Sequence, residues 1–283
     1  MKFRLATMAL MTAVSTLAAT AAHAEETAPP PAITVSGNVA LVSDYRFRGV
    51  SQSNGGAALQ GGITISHESG AYAGFWSSNL AGWGTFGGPN LELDLIAGYK
   101  FPVASGAALD VGLTWYTYPG GASKTAFAEP YVKLSGTVGP ASLTAGVAYA
   151  PKQQALGRWY NTGASAAAGV YDNPGDKKDN LYIWTDAAAG IPSTPVTLKG
   201  HIGYSKGNSG LGPNGTSVAP TGKYIDWLLG ADVAVGRVTL GIAYVDTDIS
   251  KAESAYLYPN FSSTKDGSSI AGSKAVFSIS ASF

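Results

Sequence analysis

Charged side chains spaced two residues apart are the first candidates for chemistry in this sequence. The stretch SDYRFRGVSQS, residues 43–53, places Asp44, Arg46 and Arg48 at alternate positions. Successive side chains of a β-strand point to opposite faces, so these three would share one face of an extended stretch. Arginines at the rim of a polar passage would attract anions. The alternative is that they form ion pairs with acids on neighbouring strands, such as Glu92.

The same alternation places further charged side chains in the middle of other strand-like runs, opposite in parity to the apolar residues. In a closed sheet these charges would line the interior, whereas Tyr45 and Phe47 would face lipid. The candidate pore-lining set is Asp44, Arg46, Arg48, Glu92, Asp94, Lys100, Asp110, Lys133, Asp186, Lys199, His201, Asp226 and Asp232, and Glu129 has the same parity. The set mixes both signs with a slight excess of acids, which suits small hydrophilic solutes or ions.

Catalytic, metal and nucleic-acid functions have little support in the sequence. After residue 24 the only histidines are His67 and His201, and no Gly-x-Ser-x-Gly motif occurs, so we expect no enzyme. Asp172, Asp176 and Asp179 could offer oxygen ligands to calcium, but their spacing fits no known calcium loop, so we expect neither metal nor cofactor. Eighteen bases balance eighteen acids, which leaves no net positive charge to favour nucleic acid.

The N-terminus predicts export from the cytoplasm. Residues 1–24 combine Lys2 and Arg4 with an Ala/Leu/Met-rich run and a small-x-small cleavage site, which is typical of a cleaved signal peptide. Residues 25–32 form an acidic, proline-rich leader, expected in the periplasm. The chain has no cysteine, so no disulfide holds the exported protein together. Only 13% of its residues are charged, about half the share in a soluble domain.

The elements that would position the charges are strands. We count twelve runs with period-two alternation, the signature of a strand. Several reach ten residues or more, the length that a tilted strand needs to cross a bilayer, which favours a barrel over a β-sandwich. The runs are 33–47, 58–66, 71–80, 90–101, 108–118, 127–138, 141–150, 180–191, 196–205, 224–236, 237–248 and 271–283.

The connections alternate between short turns and long polar loops. This is the pattern of a transmembrane β-barrel, in which tight turns face the periplasm and long loops face outwards. The sequence therefore predicts an all-β fold over residues 33–283: a transmembrane antiparallel up-and-down β-barrel of about twelve strands in the outer membrane. An open sheet edge is not tolerated in lipid, so the last strand must pair with the first. Phe283 would end this closing strand in the periplasmic aromatic girdle.

The chain resembles the TorF-type porin family, described earlier only as a bacterial family of unknown function. SDYRFRGVSQS, ALQGG at 58–62, NLELDLIAGY at 90–99 and the strand ending in Phe283 carry the resemblance. It implies a channel role without a known substrate. It also implies that Phe283 belongs to a C-terminal signal read by the barrel-assembly machinery.

From these patterns we expect a porin-like channel for passive diffusion of small hydrophilic solutes or ions across the outer membrane of a Gram-negative bacterium. The alternative is a filled, non-conducting barrel with a structural or surface-interaction role. The expected partners are outer-membrane lipid, the barrel-assembly machinery and a small polar solute or ion, and not nucleic acid. The oligomeric state is left open, with a monomer favoured.

Overall fold

Twelve strands form one closed antiparallel barrel in the computed structural model, which describes residues 31–81 and 90–283. The predicted twelve-stranded barrel is therefore confirmed. The predicted signal peptide, 1–24, most of the leader, 25–32, and residues 82–89 lie outside the described residues. The barrel strands are β1 Ile33–Val42, β4 Ala58–His67, β5 Ala71–Asn79, β6 Leu91–Ala104, β7 Ala107–Thr117, β8 Phe127–Val138, β9 Ala141–Gln153, β10 Lys178–Gly190, β11 Val196–Ser209, β12 Thr221–Val235, β13 Val238–Thr247 and β14 Lys274–Ser282.

The remaining elements are small. A two-stranded hairpin, β2 Arg46–Phe47 with β3 Val50–Ser51, lies between β1 and β4. Two short helices, α1 Gly163–Ala168 and α2 Lys251–Ser254, and 3-10 turns at Gln154–Leu156 and Ala255–Leu257 lie in long connections. Within residues 31–81 and 90–283, no helix has the length and hydropathy of a transmembrane helix.

The barrel closes where β14 pairs with β1. Leu41 lies opposite Ile279, and Asn38 lies opposite Ser282. The pairing extends to the last residue, because Gly37 N donates to Phe283 O at 2.9 Å and Phe283 N donates to Gly37 O at 3.0 Å. The Phe283 ring lies against Gly37, where any side chain on residue 37 would collide with it. The C-terminal phenylalanine is thus part of the closing seam.

The two faces of the barrel wall differ as the alternation predicts. Large apolar side chains stand exposed on the outer face: Leu95 is 42% exposed, Trp115 49% and Ile202 56%. Their immediate neighbours along the strands point into the lumen and include acids such as Asp94, which is 5% exposed. An apolar outer face around a polar lumen is the arrangement that a lipid environment requires of a barrel.

One predicted strand is longer in the sequence analysis than in the structure. The alternating run 33–47 suggested a single strand, but β1 ends at Val42. Ser43 still donates to Phe277 of β14, and the chain then leaves the wall, with residues 44–53 mostly buried in the lumen before β4 begins at Ala58. We call residues 43–57 the lumen hairpin segment. The prediction that Tyr45 and Phe47 face lipid is wrong, since they are 2% and 6% exposed in the interior.

Long connections cover the end of the barrel opposite the short turns, which we call the loop end. The connections around 154–177, 210–220 and 248–273 pack on one another through a buried apolar cluster that includes Trp159, Leu211, Leu257 and Phe261. Tyr160 and Leu211 also exchange backbone hydrogen bonds at 3.0 and 2.9 Å. The loop end is therefore capped by packed side chains.

Candidate functional site

The lumen hairpin segment is shaped by a tight turn. Arg48 and Gly49 both have positive φ, 48° and 79°, and they connect Phe47 to Val50, which lie opposite each other. Two successive residues with positive φ are the signature of the type I′ turn that joins two-residue hairpins. Gly49 also lies so close to Thr247 and Asp226 that a side chain would not fit. The local sequence Phe-Arg-Gly-Val therefore turns the chain back instead of continuing β1.

Asp44 organises the base of this hairpin. Its carboxylate accepts hydrogen bonds from Ser51 Oγ at 2.6 Å and Ser53 Oγ at 3.0 Å, and from Arg46 Nε at 2.7 Å. Arg46 Nη1 also donates to the carbonyl of Gly272 at 2.8 Å, which ties the hairpin to the 248–273 connection. Arg46 is thus ion-paired within its own hairpin, on a side chain that is 6% exposed.

Two aromatic residues anchor the hairpin to β5, β6 and β7. Tyr45 donates its hydroxyl to Glu92 Oε1 on β6 at 3.0 Å, and its ring meets Trp76 of β5 edge-on at 5.4 Å between centroids. Phe47 meets Tyr116 of β7 edge-on at 5.8 Å. Edge-to-face pairs of this kind add to the stabilisation that burial of the rings already gives.

Arg48 occupies the tip of the hairpin and reaches the wall at β8 and β10. Its Nη2 donates to Glu129 Oε2 on β8 at 2.6 Å, and the guanidinium carbon lies 4.0 Å from the centre of the Tyr182 ring on β10. Arg48 is 4% exposed and Glu129 3%. The sequence placed Glu129 on the lumen face but suggested other acids as partners of the arginines. Strand alternation shows on which face a side chain lies, but it does not show which residue it contacts.

Several polar atoms around the tip have no hydrogen-bond partner among the described residues: Arg48 Nε and Nη1, Asp94 Oδ1 and Glu129 Oε1. All belong to side chains that are at most 5% exposed. A buried polar atom without a hydrogen bond lowers the stability of the fold. The hydrogen-bonding groups of the Arg48–Glu129 contact are therefore less completely satisfied than those at the base of the hairpin.

A second polar cluster lies beside the tip on β10, β11 and β12. His201 Nδ1 is 2.6 Å from Asp186 Oδ1, and His201 Nε2 is 3.0 Å from Asp226 Oδ1. The Tyr182 hydroxyl lies 2.9 Å from His201 Nε2 and 3.2 Å from Asp226 Oδ1. His201 therefore points into the lumen, and the Tyr182 ring that Arg48 contacts is itself held by this cluster.

A third cluster lies nearer the short turns, which form the turn end. Lys133 Nζ is 3.2 Å from Asp110 Oδ2, and Tyr72 donates its hydroxyl to Asp110 Oδ1 at 2.6 Å. The hydroxyls of Tyr72 and Tyr131 also contact each other. On a separate part of the wall, Lys199 of β11 and Asp232 of β12 form an ion pair at 2.6 Å. Lys100 of the candidate set is half-buried on β6, next to this third cluster.

Glycines make room for the two tyrosines of the third cluster. Tyr72, Gly98, Gly112 and Tyr131 lie directly opposite one another in a row across β5, β6, β7 and β8. A Cβ atom on Gly112 would lie 2.5 Å from the Tyr131 hydroxyl, and one on Gly98 would collide with the Tyr72 hydroxyl. The two rings therefore lean over the two glycines and meet between them.

The residues considered as candidates for metal binding or catalysis each make their own hydrogen bonds to different partners. Asp172 accepts from the backbone N–H of Asn161, and Asp176 from that of Arg158, while Asp179 accepts from the Tyr149 hydroxyl. Across residues 31–81 and 90–283, no group of three or more acids and histidines is arranged to hold a metal ion. His67 lies at the turn end of β4, where it contacts Ser69.

Comparison with known proteins identifies a family. Residues 24–283 match the family model described as "Bacterial protein of unknown function (Gcw_chp)". This description names no transport activity, so the TorF-type name stays a prediction. No curated protein sequence matches the chain.

Solved structures share the fold. A structure titled "KdgM porin" is 10% identical, with 88% of this chain and 99% of that chain covered and a TM-score of 0.50. An outer-membrane channel from Pseudomonas putida F1 is 8% identical, with 91% and 100% covered and a TM-score of 0.47. At this identity the first likeness shows the fold of an outer-membrane porin barrel and nothing further, and the second carries no argument.

Proposed function

This chain belongs to the family described as a bacterial protein of unknown function (Gcw_chp), and we propose that it is a porin-like outer-membrane channel for passive diffusion of small hydrophilic solutes or ions. Since the family description gives no function, the proposal is based on the structure of the barrel. The observation that carries this proposal is the division of the wall into an apolar outer face and a lumen lined by both acids and bases. The candidate pore-lining residues all lie on the lumen side of the wall or in the hairpin inside it. The export signal predicted for residues 1–24 and the assembly signal that the family resemblance implies at Phe283 fit the same location.

The charges of the lumen favour transport over a purely structural role. Burying ionised groups is costly and stabilises a fold poorly compared with apolar packing. A barrel that served only as a scaffold could fill its interior with apolar side chains. Ion pairs such as Lys133–Asp110 and Lys199–Asp232 instead give a polar lining between the hairpin and the turn end.

A second candidate function has a specific observation in its favour. Arg48, Glu92 and Glu129 are each under 5% exposed, and packed connections cap the loop end. A barrel filled in this way permanently would not conduct, and it would serve a structural or surface-interaction role. The two candidates differ in whether the lumen can open.

Conductance in a planar lipid bilayer tests the proposed function. The refolded protein is compared with a variant that lacks the lumen hairpin segment, and each preparation is first shown to be a folded, heat-modifiable barrel. Discrete current steps from the wild type support a channel, whereas steps from the deletion variant alone show that the segment fills the lumen and favour the filled barrel. If both proteins are folded and both leave the bilayer silent, the filled barrel replaces the channel. Boiled protein serves as the control for non-specific leakage.

A further inference from the structure

We propose that the lumen hairpin segment, residues 43–57, is a gate that closes the lumen and that the Arg48–Glu129 contact is its latch. This inference rests on the proposed channel function and adds a means of regulating it. Four features carry it: the span of the hairpin, the burial around it, the difference between its base and its tip, and the register of the strands that flank it.

The hairpin spans the full width of the lumen. In the strand order of the barrel, β9 is six strands from β1 in either direction, counted through β14 and β10 or through β4 and β8. Arg48 contacts β8 through Glu129 and β10 through Tyr182, the two strands that flank β9. The segment therefore starts on β1 and ends against the diametrically opposite wall, so it divides the lumen.

Side chains at the level of the hairpin are shut off from water. Asp44 is 1% exposed, and Glu92 and Asp226 are 2% exposed, although all three carry carboxylates that water would readily solvate. Towards the turn end, lumen residues such as Thr64 and Lys100 are half-buried instead. Burial on the turn side is mixed, because Asp110 and Asp232 there are each 6% exposed. The carboxylates are therefore most completely buried at the level of the hairpin.

The base and the tip of the hairpin are held differently. At the base, backbone hydrogen bonds join Ser51 to Ile270 and Ala81 to Gln52, and Asp44 has a donor on each carboxylate oxygen. At the tip, the described residues show no backbone hydrogen bond from residues 47–50 to the far wall. The tip is held by the side-chain contacts of Arg48 across the lumen. Phe47 also packs on Tyr116 of β7, and Gly49 lies against Thr247 of β13 and Asp226 of β12.

The contact at the tip is also the one that water could replace most readily. Arg48 Nε and Nη1 and Glu129 Oε1 lack partners among the described residues while the latch is closed. Arg48 has a φ of 48°, in the left-handed region that a non-glycine residue adopts at a cost. An open tip would expose these atoms to water, which would satisfy them all. The latch therefore combines a short ion pair, which favours the closed state, with unpaired polar atoms that water would satisfy in the open state. Opposing contributions of this kind suit a closure that is reversible.

The register of the barrel allows the gate to be removed cleanly. Val42 and Ala58 lie directly opposite each other on β1 and β4. An Asn-Gly turn in place of residues 43–57 would join these strands as a two-residue hairpin without changing their pairing. This gateless variant keeps the wall and the lumen charges outside the segment.

Single-channel recordings of four variants test the gate. They are the gateless variant, Arg48→Met, Glu129→Gln and, as a matched comparison, Lys199→Met, which breaks a buried lumen ion pair of 2.6 Å that does not involve the hairpin. We expect the gateless variant to conduct continuously. The Arg48 and Glu129 variants should raise the open probability about tenfold over the wild type, equivalent to roughly 1.4 kcal/mol in the closed–open equilibrium. Lys199→Met changes a charge of the lumen and is expected to alter the single-channel conductance, but it should not raise the open probability.

The outcomes separate the gate from the channel function. If the gateless variant conducts and the wild type shows the same open probability and conductance, the barrel is a channel but the hairpin is not its gate. If the gateless variant conducts more than the wild type while Arg48→Met and Glu129→Gln behave as wild type, the latch is assigned wrongly. A rise of equal size in Lys199→Met overturns the latch as well. A folded gateless variant that stays silent contradicts the channel function itself.

Discussion

The row of Tyr72, Gly98, Gly112 and Tyr131 leads to a quantitative prediction about folding. Gly98→Ala adds one methyl group to a strand residue whose backbone needs no positive φ. The added carbon would collide with the Tyr72 hydroxyl and lie 2.6 Å from the ring carbon that bears it. Tyr72 would then have to swing away, and its 2.6 Å hydrogen bond to Asp110 would break.

Two effects set the size of the loss. Forcing an extra methyl into a packed site typically costs about 1–3 kcal/mol. A hydrogen bond to a charged group contributes about 1.5–3 kcal/mol. We therefore expect Gly98→Ala to lower the free energy of unfolding by about 2.5–6 kcal/mol. Equilibrium urea unfolding of the barrel in lipid vesicles, followed by tryptophan fluorescence, measures this difference.

The chain offers a matched control and a rescue. Gly200 also lies within a barrel strand, but the nearest atom to an added Cβ there is Leu229 Cδ2 at 3.6 Å, an ordinary contact distance. Gly200→Ala should leave the unfolding free energy within about 1 kcal/mol of wild type, because glycine is itself unfavourable inside a strand. In a Tyr72→Ala background, the cost of Gly98→Ala should shrink but stay above that control, because the carbonyl oxygen of Val111 also lies 2.8 Å from the added carbon.

Two results would refute the reasoning. One is a Gly98→Ala variant as stable as Gly200→Ala, which would mean that Tyr72 does not lean over Gly98. The other is a cost that persists undiminished in the Tyr72→Ala background, which would place the collision elsewhere.

Two further predictions concern the wall and its seam. Ile63→Arg puts a charge on the lipid face of β4 and should lower the free energy of unfolding by about 2–4 kcal/mol near the midplane. Thr64→Arg, one residue on and facing the lumen, should lower it clearly less. Equal midpoints in urea titrations would show that the faces are assigned wrongly. Phe283→Asp removes the ring that lies on Gly37 at the seam and should reduce the amount of heat-modifiable barrel in outer membranes, while Ser282→Asp serves as the neighbouring control; normal assembly of the Phe283 variant would contradict its role as an assembly signal.

The sequence by itself determined the wall of the barrel. Alternation such as Leu91, Leu93, Leu95 against Glu92 and Asp94 depends only on the two-residue repeat of a strand, so each residue carries the information locally. The even number of runs and the strict alternation of short and long connections then required closure, because lipid tolerates no open edge. The inward position of His201 and Asp226 followed from the same parity.

The interior was decided by tertiary structure. The alternation of residues 33–47 is interrupted only at Val42 and Ser43, which exchange their apolar and polar positions, and it resumes at Asp44. So short an interruption did not mark the end of β1 at Val42. The available signal was the Arg-Gly pair at 48–49, which can form a type I′ turn but does so only because the flanking side chains find partners. Those partners are distant in sequence: Glu129 is 81 residues from Arg48, and Glu92 is 47 from Tyr45.

The same physical reason explains why the ion pairs could not be assigned from the sequence. Parity gives the face on which a charge lies, whereas a pair depends on barrel register and on which strands stand opposite across the lumen. Arg48 meets Glu129 only because a barrel closed at twelve strands brings β8 and β10 across from β1, at a distance that one hairpin can span. Local repeats therefore fixed which residues line the barrel, and closure fixed which of them touch.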